Sequence, residues 1–308
     1  MESPCRRHEE VIVHISGSGT RPSWRLIQIL TVLAVLTACG PTTASPREGE
    51  NVQATTPSIP GWVPTFGDEF DGNPGAPNPD VWIPDVGGTG WGNDELQYYT
   101  DGDNVFLDGR GHLVIEARAG SDGHRCWYGR CRFTSGKLTT RKQDETIVFA
   151  QEYGRFDIRA KLPVGTGLWP AFWLLGENLD EVGHPEAGEI DVVEVIGKRD
   201  DEVEQHAHGP GLHFGAEHIL PQGQSVTDWH TYGIEWSSDQ LSWHVDGEIT
   251  RTLTRDEADS GWVFDRPFFL LLNLAVGGEW PGSPDSDTEF PARMLVDYIR
   301  VYRAEDQP

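Results

Sequence analysis

Basic side chains are scarce in this sequence: 24 Lys and Arg stand against 49 Asp and Glu in 308 residues, a formal net charge of −25. So acidic a chain repels polyanions, which argues against nucleic acid or acidic polymers as ligands and leaves a neutral glycan or a cationic partner compatible. Helical periodicity is nearly absent and no internal repeat is visible, which removes the basis for a propeller or a solenoid. The longest apolar run, Leu26 to Leu36, is too short for a comfortable membrane span. Cysteine is limited to four residues, of which Cys126 and Cys131 fall in the part that reads as folded. A zinc site there is short of ligands, since His124 alone lies nearby; a disulfide closing Cys-Trp-Tyr-Gly-Arg-Cys is favoured.

The apolar run follows Arg25 and ends in Leu36-Thr37-Ala38-Cys39, the pattern of a secretory signal with a bacterial lipobox. The expectation is export, with Cys39 lipidated and the membrane met only through that anchor. Residues 1–20 contain Glu2, Glu9 and Glu10, which do not suit a signal, so a start further along the chain is expected. Residues 40–60 are rich in Thr, Pro, Ser and Glu and read as a flexible tether. The leader carries four Arg and three Glu, so the exported part keeps 20 basic and 46 acidic residues, a net of −26. What remains, 61–305, is of a size that suits one all-β domain, and twelve tryptophans exclude a disordered acidic chain.

Short alternating runs at His112–Ala117, Gly154–Leu162, Thr231–Trp236, Leu241–Val245, Phe268–Leu274 and Met294–Tyr302 predict antiparallel strands, with Asp246-Gly247 as a hairpin turn. Many strands of this length imply a two-sheet sandwich or a barrel. Trp236 and Trp243 fall inside alternating strands and read as core. Trp91, Trp169, Trp173 and Trp280 sit beside Gly or in Pro- and aromatic-rich stretches, where flat indoles can stack on the C–H faces of sugar rings.

Residues 188–197 read Gly-Glu-Ile-Asp-Val-Val-Glu-Val-Ile-Gly. Strict alternation places Glu189 and Asp191 on one face and turns Glu194 to the other. A bulge at Val192–Val193 would bring Glu194 back beside the two acids. Such a set is what glycoside hydrolysis requires, a nucleophilic carboxylate and a proton-donating carboxylic acid.

The hexapeptide Glu189-Ile190-Asp191-Val192-Val193-Glu194 resembles the Glu-x-Asp-x-x-Glu signature of glycoside hydrolase family 16 in its bulged, laminarinase-like form. The similarity runs in order through most of 66–303, with blocks at Phe66–Phe70, Gly92–Tyr99, Phe133–Leu138, Trp169–Trp173, His208–Gly211, Asn273–Gly278, Trp280–Gly282 and Asp297–Tyr302. The resemblance implies a β-jelly-roll sandwich of two antiparallel sheets with a concave cleft, and a monomer. It makes Glu189 the nucleophile, Glu194 the general acid/base and Asp191 a hydrogen-bonding partner of the nucleophile. Asn93, Trp169, Trp173 and Trp280 would line the cleft, and His208 would sit near the catalytic strand. No cofactor is implied for the chemistry; a structural calcium is, with Glu69 and Asp297 at the matching places. Two stretches depart from the family pattern, the Cys126–Cys131 insertion and Val203–Ala207, both expected as loops bordering the cleft. The implied activity is endo-hydrolysis of a neutral β-1,3-glucan. Another β-glycan (mixed-linkage glucan, agarose, carrageenan), transglycosylation, or non-catalytic glucan binding remain open on the residues alone.

Overall fold

The computed structural model describes residues 56–306. The leader, Cys39 and residues 40–55 of the expected tether lie outside the described residues. Residues 56–60, also assigned to the tether, are described, with Pro57, Ser58 and Pro60 exposed and Thr56 and Ile59 half-buried. Ile59 bridges Trp62, and a Cβ on Gly67 would strike the Thr56 hydroxyl.

Two antiparallel sheets form a jelly-roll sandwich, and among the described residues helix is limited to the short turns Leu179–Val182, Arg255–Ala258 and Asp259–Gly261. One sheet runs in the order Glu248–Thr254, Gln240–Val245, His230–Trp236, Gly154–Lys161, Ala292–Ala304, Leu113–Ala119, Phe133–Ser135 and Gln97–Tyr99. The first strand of the domain, Trp62–Asp68, lies against the last, Ala292–Ala304, with Trp62 opposite Ala304 and Asp68 opposite Ile299. Each predicted run is a strand within a residue or two of its expected ends, and Asp246 and Gly247 both take positive φ, as a two-residue hairpin turn requires.

The second sheet orders Leu212–Ile219, Glu202–Gly209, Glu189–Glu194, Leu168–Gly176, Phe268–Val276, Lys137–Thr139 and Ile83–Pro84. Period two divides each strand between the core and a cleft on the outer face. On Leu168–Gly176, the side chains of Leu168, Phe172 and Leu174 join the core, while Trp169, Ala171, Trp173 and Leu175 line the cleft. Phe268–Val276 is buried at all nine positions, because it runs mid-sheet with the core on one side and the cleft floor on the other. Trp236 and Trp243 are core residues, 2% and 0% exposed.

The segment Val203–Ala207, expected as a loop, is the middle of a strand beside Glu189–Glu194. Its alternation sends Val203 and Ala207 into the core and Glu204 and His206 into the cleft. The Cys126–Cys131 insertion is a disulfide-closed hairpin, with Cα atoms 5.0 Å apart. It is held on the 95–96 backbone by Trp127 Nε1 donating to the Glu95 carbonyl and by the Tyr128 hydroxyl donating to the Leu96 carbonyl.

Candidate active site

The acids occupy one face of Glu189–Glu194 because the strand is bulged. Against the strand Leu168–Gly176, Asp191 pairs with Trp173 and Val193 with Phe172, so Val192 is the extra residue. Against Glu202–Gly209, Asp191 pairs with His206 and Glu194 with Glu204, leaving two residues opposite one. Ile190, Val192 and Val193 are fully buried in the core, and Glu189, Asp191 and Glu194 all line a cleft of about 1010 Å³. The bulge expected at Val192–Val193 is present.

Each glutamate has its own partners. Glu194 accepts from Trp169 Nε1 at 2.8 Å on one oxygen and lies 3.1 Å from His206 Nδ1 on the other. Glu189 lies 3.1 Å from His184 Nε2, a contact that raises the affinity of His184 for its proton. Asp191 sits between the two, and an oxygen of each glutamate comes within 4.8 Å of one of its own. Burial, reinforced by the charges of Glu189 and Glu194, pushes the Asp191 carboxyl well above the usual carboxylate range.

The aromatic positions are fixed by hydrogen bonds as well as packing. Trp173 Nε1 donates to Asn273 Oδ1 at 2.7 Å, and the exposed Trp280 meets Trp169 edge-on at 5.4 Å. Asn93 lines the cleft, its Nδ2 3.4 Å from Glu95 Oε1. His208 pairs across the ladder with Glu189, and its Nε2 lies 3.3 Å from Asp191 Oδ2, off the line a hydrogen bond needs. All of the cleft residues named from the sequence are brought together.

Others were not foreseen. Glu95 is buried on the cleft floor, accepting from Gln97 Nε2 at 2.5 Å and the Tyr99 hydroxyl at 3.1 Å, and burial raises its pKa. Lys137 stands 4.1 Å over the Trp91 ring and pairs with Asp85. Three further histidines, His184, His206 and His213, crowd around His208. The period-two spacing of His206 and His208 was a usable signal, while His184 comes from the loop after a helical turn and carries none. Gly215 makes room for the cluster: a Cβ there would lie 2.0 Å from the His206 ring.

The calcium expected at Glu69 and Asp297 does not fit these residues as folded. Both Glu69 oxygens accept from Arg300, at 2.8 and 2.7 Å, and Asp297 accepts from Arg159 at 2.5 Å. Among the described residues, the groups of three His, Cys, Asp or Glu close enough to share one ion both lie in the cleft and include neither acid.

Opposite pH slopes follow from two cleft residues. Burial lowers His208 to about 4, so it is neutral in the fold and charged in the unfolded chain below its ordinary value of 6.5. The stability this gives is present above pH 6.5 and lost as pH falls toward 4. For Asp191 the raised pKa works the other way: stability is full below pH 3.8 and declines as pH rises, because the buried carboxyl resists ionisation. Melting temperatures across pH 4–9 should therefore show a shallower acid limb in His208→Gln, by on the order of 1–2 kcal/mol after solvent screening. Asp191→Asn should gain on the parent at the alkaline end. Parallel curves for parent and both variants would contradict these assignments.

Comparison with known proteins agrees with this geometry. Residues 93–300 match the family model described as "Glycosyl hydrolases family 16". A beta-glucanase of Rhodothermus marinus is 42% identical over 263 residues, spanning 79% of this chain and 86% of that protein. A glucan endo-1,3-beta-glucosidase of Cryptopygus antarcticus is 37% identical over 271 residues, 78% of this chain and 92% of the relative. The solved laminarinase catalytic domain from Thermotoga maritima MSB8 superposes with a TM-score of 0.73 at 44% identity, covering 80% of this chain and 99% of that one.

Proposed function

The chain belongs to glycosyl hydrolase family 16, and from that membership we propose that it cleaves internal β-1,3 bonds of a neutral glucan with retention of configuration. The observation that carries the proposal is the bulge, which sets Glu189, Asp191 and Glu194 on one cleft face between indole walls. Glu189 attacks the anomeric carbon while Glu194 protonates the departing glycosidic oxygen, giving a covalent glycosyl-enzyme. Glu194 then takes a proton from the water that releases the product. The Trp169 N–H holds Glu194 in place through both steps, and Asp191, on the same face between the two glutamates, is the neighbour closest in the strand to the nucleophile.

A cleft lined by several carboxylates suits an uncharged polymer and disfavours a sulfated one. Both glutamates are in place, which favours catalysis over simple glucan binding. Export with a lipid on Cys39 is part of the same proposal, since a polymer-degrading enzyme meets its substrate outside the cell; its support is the leader sequence. The test is product analysis on laminarin, lichenan, agarose and carrageenan. Short β-1,3-linked oligosaccharides from laminarin are expected as the main outcome. Preferential cleavage of agarose or carrageenan would overturn the substrate, and glucan binding without cleavage would overturn the enzyme.

A further inference from the structure

We propose that Glu189, Asp191 and His208 form a binding site for a divalent transition-metal ion of the Zn²⁺ type, and that the ion and the glucan exclude one another. The donors, two carboxylates and an imidazole, suit such an ion better than calcium or magnesium, which prefer all-oxygen cages. One oxygen each of Glu189 and Asp191 and a ring nitrogen of His208 lie within 4.8 Å of one another. His208 Nε2 stands 3.3 Å from Asp191 Oδ2 and 3.9 Å from Glu189 Oε1. A tetrahedral centre with zinc–ligand bonds of ~2.0–2.2 Å separates its donors by about 3.3–3.6 Å. The first distance already matches an edge of that tetrahedron, and a small swing of the Glu189 side chain closes the second.

An independent observation points to the same place. Asp191 Oδ2 has no hydrogen-bond partner, although the residue is only 3% exposed and the oxygen faces His208. A buried carboxylate oxygen left in this state is costly unless a proton or a cation reaches it. The other side of the His208 ring is already anchored, with Nδ1 3.0 Å from Nδ1 of His213. One nitrogen of that pair must donate and the other accept. When His208 donates, its Nε2 carries a lone pair directed at the two carboxylates. Metal-bound histidines are commonly oriented by this kind of outer hydrogen bond.

The surroundings draw cations inward. Glu95, Glu189, Asp191, Glu194, Glu204 and Glu217 line the cleft against Lys137 as its permanent positive charge. A neighbouring group, Asp191, Glu194 and His206, is also close enough to share an ion. There, however, His206 Nδ1 is engaged with Glu194 at 3.1 Å and the whole group is buried, whereas Glu189 and His208 are partly open to the cleft. Once Glu189 is a metal ligand its lone pair is no longer free to attack a sugar. The ion is thus an inhibitor competitive with glucan, a clause that rests on the function proposed above; the binding site itself does not.

Calorimetric titration of ZnCl₂ into chelator-stripped protein, with no glycan present, tests the site. One ion per chain is expected, with affinity at least about tenfold weaker in His208→Ala and in Asp191→Asn. His218→Ala, which changes the opposite face of the strand Leu212–Ile219, should bind as the parent does. His208→Gln replaces the alanine variant if the latter does not fold, judged by circular dichroism. The proposal is overturned if the parent shows no saturable binding, if the His208 variants bind as tightly as the parent, or if affinity is lost only in His206→Ala. In a second titration with a β-1,3-gluco-oligosaccharide present, a weaker apparent affinity supports mutual exclusion. Unchanged affinity there keeps the metal site and overturns the exclusion.

Discussion

Glu189→Ala is expected to lose hydrolysis of glucan by ~10⁴-fold or more, because without a nucleophile no glycosyl-enzyme forms. Glu194→Ala should fail differently. Its loss on glucan should fall in the range of about 10²–10⁴-fold typical of a missing acid. On an aryl glycoside, whose leaving group departs without protonation, the intermediate should form and then wait. Azide, which needs no general base, should release it and restore turnover. The two partner sets make the distinction structural: Glu194 is held by Trp169 and His206, and Glu189 faces His184. In the parent, NMR of the first products should show the β-anomer, as closely spaced carboxylates of a retaining site require. Initial α-products, or near-normal activity in Glu189→Ala, would reverse the assignment.

The largest loss of stability is expected from Trp243→Ala, about 3–5 kcal/mol for a fully buried indole. Trp243 lies in the sheet opposite the cleft and reaches through the core. Its Nε1 donates to the backbone carbonyl of Asp191 at 2.8 Å, at the residue where the ladder breaks into the bulge. Trp243→Phe keeps most of the volume and removes the donor. It should cost less, about 1–3 kcal/mol for the lost buried hydrogen bond, yet lower kcat, since the bulge sets the spacing of the acids. Denaturant titration and kinetics on the two variants separate these effects. A Phe variant with parental kcat would show that the bulge stands without this support.

The strands were legible because one face of most of them meets core and the other meets solvent or cleft, which writes period two into the sequence. Phe268–Val276 shows the limit: its run was legible as a strand, but because it is buried at every position the pattern does not say which face meets the cleft, and Asn273 on that face went unnoticed. The bulge was legible because three acids in Glu189–Glu194 fit one face only if a residue is added. The histidine cluster was not, because it converges from a loop and two neighbouring strands, and pairing register is invisible in one sequence. The arginine partners of Glu69 and Asp297 were hidden for a related reason. Gly67 pairs with Arg300 across the sheet, which brings the guanidinium to Glu69, and nothing local in the sequence announces that partner.

The pairing of the first and last strands has a mechanical consequence. Trp62 and Ala304 face each other at one end of an antiparallel ladder, and the Glu305 N–H bonds the Gly61 carbonyl just beyond it. A force pulling the domain by both ends loads these bonds one after another, as in peeling, and never all together as in shear. Held at one end only, the domain can be dragged along a polymer without that seam bearing tension; stretched between two attachments, it would open there first.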